Sequence, residues 1–177
     1  IMTYMESEQG KIQVQLQPYQ LQKILDDSLD MVNSTADKYG ITLHNHCEDA
    51  AVLVDPGRMT QVVINLLTNA VKYNRENGEV ILSSEENADV LMLHVRDTGV
   101  GIPEEEMHKV FEPFTRLEYA EYQAIEGTGI GLALCDFLMK KMGGDIGVTS
   151  FTGEGSTFTL TIPLAKEIAS STVEGAS

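Results

Sequence analysis

E-V-I-L-S-S-E-E-N-A-D-V-L-M-L-H-V-R-D, residues 79–97, carries two apolar runs separated by a polar break. It divides into two short strands, Glu79–Ser84 and Val90–Asp97, around a polar Glu86-Asn87 break, which is the pattern of a hairpin. A second pair, Asp145–Ser150 and Ser156–Pro163, flanks the turn Gly153-Glu154-Gly155. Strands joined by short turns run antiparallel, whereas a doubly wound parallel sheet needs a helical crossover after each strand. The expectation is therefore an α+β sandwich, with helices on one face of a mostly antiparallel sheet.

Upstream of the hairpin, Asn77-Gly78 marks a turn, and Asp55-Pro56 opens a helix predicted to run to about Tyr73. Short strands are expected at Ile41–His46 and Ala51–Val54. Leu21, Ile24, Leu25, Leu29, Val32, Ala36 and Tyr39 make one helical stripe from Tyr19, with Gly40 as its stop. Before it, Ile12, Val14 and Leu16 alternate with polar residues, so a half-buried strand is predicted there, ended by Pro18. Residues 1–9 read as the end of a helix stopped by Gly10. Downstream, residues 98–128 lack long periodicity apart from a short helix at Pro103–Val110, and a strong helix is predicted over Gly129–Met142. The small, polar tail after Leu164 reads as a linker or flexible end.

With 177 residues, 42% hydrophobic and 22% charged, the chain reads as one globular domain with a short appendage. Its 27 acidic and 12 basic side chains give a net charge of −15, which disfavours nucleic acid and anionic lipid as partners. The acidity is concentrated, with eleven acids against three bases from Glu85 to Glu126. Cys47 and Cys135 lack metal-ligand or disulfide spacing and fit a reducing, cytoplasmic compartment. No apolar run is long enough to span a membrane.

Three segments carry chemistry. Along the helix Arg58–Tyr73, Gln61, Asn65, Asn69 and Lys72 form one polar stripe beside the apolar Met59, Val62, Val63, Leu66, Leu67 and Ala70. Asparagine is a mediocre helix former, so the stripe is either an exposed polar face or a pair of amide oxygens for a hard cation. In the second case an ammonium for phosphate follows within a turn. Asp97-Thr98-Gly99-Val100-Gly101 places a carboxylate at a strand end before glycines that let a flat ligand approach the backbone. Gly127-Thr128-Gly129-Ile130-Gly131-Leu132 opens a helix, where backbone N–H groups can cradle phosphate, although GxGxG is neither GxGxxG nor GxxxxGK(S/T).

N-L-L-x-N-A-x-K-Y, D-x-G-x-G, V-F-E-P-F at 110–114, G-T-G-I-G-L and G-E-G-S-T at 153–157 follow one another in order. Together they closely resemble the catalytic ATP-binding domain of sensor histidine kinases, in the superfamily that also holds gyrase, MutL and the heat-shock chaperone ATPases. The resemblance covers about residues 11–164. It implies the Bergerat ATP-binding fold, a two-layer sandwich of a mixed, mostly antiparallel five-stranded sheet on about three helices. It also implies ATP and Mg²⁺ as substrate and cofactor.

By the same resemblance, Asp97 accepts the adenine amino group, with Gly99, Gly101 and Ile102 lining the base. Asn69 holds Mg²⁺, helped by Asn65; Lys72 meets phosphate and Tyr73 packs near the ribose or adenine. Residues 111–126 form a lid hinged by Phe111-Glu112-Pro113-Phe114, with Phe114 and Arg116 on the nucleotide. Gly127, Thr128, Gly129, Ile130, Gly131 and Leu132 hold the phosphates, and Thr157 lies near the base. In the hydrolysing relatives the resemblance puts a glutamate, acting as general base on water, where Asn65 stands; an asparagine takes no proton near neutral pH. Phosphoryl transfer is thus favoured over hydrolysis.

Neither His44, His46, His94 nor His108 precedes an acid, as the acceptor histidine of such kinases usually does. All four are expected to be surface or strand residues, so the acceptor is expected on a separate, upstream dimerisation domain. Residues 1–10 would be the end of its helix and a connector, and residues 165–177 a tail or linker. A response-regulator receiver domain is the expected downstream partner, with no membrane contact in this stretch. Arg116 is the lone base between residues 111 and 126, facing Glu112, Glu118, Glu121 and Glu126. That thin lid favours the alternative of a nucleotide-binding regulatory module without transfer; a third possibility is an ATPase clamp, against which Asn65 argues.

Overall fold

The computed structural model describes residues 12–112 and 130–165. A two-stranded sheet pairs β1 (Gln17–Gln20) with β3 (Ala51–Val54), and a five-stranded sheet contains β2 (Thr42–Asn45), β4 (Glu79–Glu86), β5 (Val90–Asp97), β6 (Asp145–Phe151) and β7 (Gly155–Pro163). The larger sheet runs β2-β4-β5-β7-β6, parallel between β2 and β4 and antiparallel elsewhere. Helices α1 (Leu21–Tyr39), α2 (Pro56–Lys72) and α3 (Ile130–Lys141) complete the sandwich, with a short 3-10 helix at Glu104–Lys109. The expected α+β architecture is thus present, and no helix among the described residues is long and apolar enough to cross a membrane.

The core lies between sheet and helices because strand side chains alternate. Leu82, Val95 and Phe158 face one another across β4, β5 and β7, as do Leu93, Leu160 and Ile146 across β5, β7 and β6. All six are buried. Against them sit Leu66, Leu67 and Met59 of α2, Leu21, Ile24 and Leu25 of α1, and Leu138 and Met139 of α3. Each such side chain contributes about 1.5–3 kcal/mol by leaving water.

The N-terminal strand differs from its prediction. The ladder spans Gln17–Gln20 rather than the alternating Ile12–Leu16, and Pro18 lies inside it, opposite Leu53. In a two-stranded sheet every strand is an edge, so the missing proline N–H has an outward side to occupy. Ile12 and Val14 still pack on the core, while Leu16 is exposed. Tyr19, expected to start the helix, pairs with Val52, and α1 starts at Leu21, whose N–H donates to the Ala50 carbonyl.

The hairpin β4–β5 is longer than predicted, with Glu86 opposite Leu91. Its turn is closed by Asn87, whose N–H donates to the Val90 carbonyl and whose Oδ1 accepts from the amides of Asp89 and Val90. The expected helix at Pro103–Val110 is 3-10 in its hydrogen bonding. Of the proposed lid, only Phe111 and Glu112 fall among the described residues.

Candidate nucleotide site

The helix α2 starts as its sequence demands. Asp55 accepts the Arg58 amide at 3.2 Å and Pro56 occupies the first turn. Its buried face leaves Gln61, Asn65, Asn69 and Lys72 half-buried along one edge, so the stripe is not a freely solvated face. Asn65 reaches α3: its Nδ2 lies 3.7 Å from the Cys135 sulfur, and a Cβ on Gly131 would sit 3.8 Å from the Asn65 Cγ. Burial pushes the Cys135 thiol up to about 12, so it remains protonated and lies 3.8 Å from the Val62 carbonyl. With Nδ2 directed at sulfur, the Asn65 Oδ1 is the amide atom left for a cation. Asn65 and Asn69, both half-buried, stand one turn apart on α2, a spacing that could serve a hard ion. Lys72 has no carboxylate within ion-pair distance among the described residues.

Asp97 closes β5 and is 6% exposed. Its Oδ1 accepts from the Gly99 amide at 2.9 Å and the Ser156 amide at 3.3 Å. Burial raises its carboxyl to about 6 from an ordinary 3.8, and these two amides act the other way. No donor among the described residues reaches Oδ2.

The loop after Asp97 is pressed against its surroundings. A Cβ on Gly99 would overlap the Tyr73 carbonyl, and the Val100 amide donates to that same carbonyl at 3.4 Å. Gly101 has φ +75° and would overlap the Phe151 carbonyl if it carried a Cβ. Ile102 is buried, and its amide donates to Ser150 Oγ at 2.7 Å. That hydroxyl also lies 2.8 Å from Ser156 Oγ. Thr157 pairs with Arg96, one position from Asp97.

Asp97, Gly99, Gly101, Ile102, Tyr73 and Thr157 therefore gather at one end of the sheet, with Asn65 beside Gly131 where α2 meets α3. Leu132 packs on the core. Phe114, Arg116, Gly127, Thr128 and Gly129 lie outside the described residues, as does the rest of the lid from 113. Its first hinge residue, Phe111, packs edge-on against Phe158 at 6.2 Å between ring centres. The histidines are as expected. His44 and His94 belong to strands and sit by Glu79 and Glu85, while His46 and His108 are exposed.

Three residues were missed by sequence reasoning: Arg75, Ser150 and Ser156. Ser156 follows the glycine turn within G-E-G-S-T, a signal that was present. Arg75 donates to carbonyls 24 and 78 positions away, which no local pattern announces.

A buried strand-end carboxylate, a glycine loop and a polar helix edge define a nucleotide-binding α+β domain. The family described as histidine kinase-, DNA gyrase B-, and HSP90-like ATPase matches residues 54–166, and the chain belongs to it. Sensor histidine kinase RcsC of Escherichia coli K12 is 46% identical over 110 residues, 62% of this chain and 12% of that protein. Circadian input-output histidine kinase CikA of Synechococcus elongatus is 35% identical over 170 residues, 92% of this chain and 22% of that protein. The chain thus spans less than a quarter of either relative. Among solved structures, the mycobacterial sensor histidine kinase MprB superposes with TM-score 0.75 at 26% identity, covering 85% of this chain and 98% of that one. Full-length ShkA in complex with AMPPNP gives 0.74 at 29% identity, covering 86% and 32%. The fold and relatives are those of the ATP-binding catalytic domain of sensor histidine kinases.

Proposed function

We propose that this domain transfers the γ-phosphoryl group of ATP to a histidine on a separate dimerisation domain, in a relay that passes it on to a receiver domain. The observation that carries the reading is Asp97: a buried carboxylate with Oδ1 held by two amides and no donor on Oδ2 among the described residues, beside glycines that would admit a flat base. Asp97 would select adenine, lined by Gly99, Gly101, Ile102 and Thr157, with Tyr73 near the ribose. Asn69 and Asn65 would hold Mg²⁺, which neutralises phosphate charge when bound. Lys72 stabilises charge on the phosphates, and the glycines 127, 129 and 131 cradle them. Such transfer depends on positioning and electrostatics more than on covalent help.

Asn65 has no basic atom with which to activate water, which supports transfer over hydrolysis. The catalytic unit is taken as residues 11–164. Ala165, 1% exposed and donating to the Ala51 carbonyl, extends its packed part by one position. A cytoplasmic setting is proposed from the ATP substrate. Mixing the chain with labelled ATP and a separate dimerisation domain tests the reading. Label should appear on histidine, and ATP binding without it would favour a regulatory module.

A further inference from the structure

Arg75 lies just past the end of α2 and is exposed, yet no carboxylate among the described residues is within ion-pair distance of it. Its guanidinium donates instead to backbone carbonyls of two separate segments. Nη2 reaches Gly153 at 2.6 Å, and Nε reaches Gly99 at 3.4 Å. The Gly153 amide in turn donates to the Val100 carbonyl at 2.8 Å, so the two loops bond to each other as well as to Arg75. The neighbouring Asn74 fixes the base of this arrangement. Its Oδ1 accepts from the Arg75 amide at 2.8 Å and Thr98 Oγ1 at 3.1 Å, while Nδ2 donates to the Glu79 carbonyl at 2.8 Å.

A guanidinium is a rigid, permanently charged fork that can serve two acceptors at once; an ammonium on a flexible stem serves such a pair poorly. We propose that Arg75 is a positioning residue for base recognition, strapping the Gly99–Gly101 loop and the β6–β7 turn to the end of the helix that carries Asn69 and Lys72. The inference rests on the reading of Asp97 as the adenine acceptor. Both amides that hold the Asp97 carboxylate, Gly99 and Ser156, belong to the strapped segments or adjoin them. Without the strap, nucleotide binding would have to order these segments itself. The loss should fall on the base end, equally for ATP and ADP and independently of metal.

The test is calorimetric titration of the whole 177-residue chain with ATP and ADP, each with and without Mg²⁺, for the wild type, Arg75→Ala, Arg75→Lys and Asp97→Asn. Amide exchange is followed alongside. Arg75→Ala should weaken every titration by about three- to tenfold, with Arg75→Lys in between. The Gly99 and Gly153 amides should exchange faster while those of α3 do not change. Unchanged affinity in Arg75→Ala, with Asp97→Asn weakened, overturns the strap and leaves the base site standing. Unchanged affinity in both variants removes the base-site reading and the strap with it. A loss seen only with Mg²⁺, or faster exchange throughout α3, also overturns the inference.

Discussion

Asp97 pairs two properties that ordinarily conflict. It is buried, which raises its carboxyl to about 6, and its proposed role needs the ionised form. A carboxyl raised on folding is protonated in both states at low pH and costs nothing there. The cost appears as pH climbs from about 4 through 6 and stands at about 3 kcal/mol above it. Asp97→Asn keeps an oxygen for the two amides and removes the buried charge. Urea denaturation should therefore find the variant no less stable at pH 7.5, with its advantage over the wild type shrinking toward pH 4. Nucleotide affinity should move the opposite way. The variant is expected to bind ATP about ten- to a hundred-fold more weakly at pH 7.5, through loss of a charge-assisted bond worth about 1.5–3 kcal/mol. The wild type should lose that margin as pH falls below 6. A variant with wild-type ATP affinity would contradict the assignment. For Asn69→Ala, titrations should show loss of the Mg²⁺-dependent tightening with metal-free ADP binding retained; equal loss in both would make the residue structural.

At the scale of elements, α2 joins stability and site. Its N-cap Asp55 accepts the Arg58 amide with Oδ1 and the Gln15 amide with Oδ2 at 3.0 Å, so one side chain starts the helix and ties down the segment before β1. Asp55→Ala should cost about 1–2 kcal/mol, seen as a lower urea midpoint with unchanged slope. Leu67→Ala, at a fully buried position, should cost about 2–5 kcal/mol. This helix was legible because cap, proline, apolar face and polar stripe all point the same way. So was β5, because Val90–Asp97 alternates cleanly in burial. The start of the chain was not. Alternation at Ile12–Leu16 describes which side chains touch the core, whereas a ladder needs a partner, and β3 is long enough to pair only with Gln17–Gln20. Likewise the motifs gave the positions of Asp97 and Asn69, but not the two amides on Asp97 or the Cys135 sulfur beside Asn65. Those are contacts between distant segments that only packing creates.

For the whole molecule, the charge of −15 acquires a more specific meaning. It still disfavours polyanions, since many phosphates along a backbone feel the summed field. A single nucleotide is a different case, because the proposed site meets it with amides, Lys72 and a metal at short range. The acidic stretch from Glu85 to Glu126 contains both Asp97 and the whole of the proposed lid. Binding of ATP should therefore tighten as salt screens that stretch, the reverse of the behaviour of a basic pocket. Calorimetry across ionic strength, at saturating Mg²⁺, measures the sign, and weakening with salt would contradict it. Transfer without hydrolysis is read by following the label of γ-labelled ATP. The chain is incubated with Mg²⁺ and a separately made dimerisation domain carrying its acceptor histidine. Acid-labile, base-stable label is expected on that histidine, with little phosphate released to water and loss of the label with Asp97→Asn. Steady phosphate release with no phosphohistidine, or bound ATP with neither product, would contradict it.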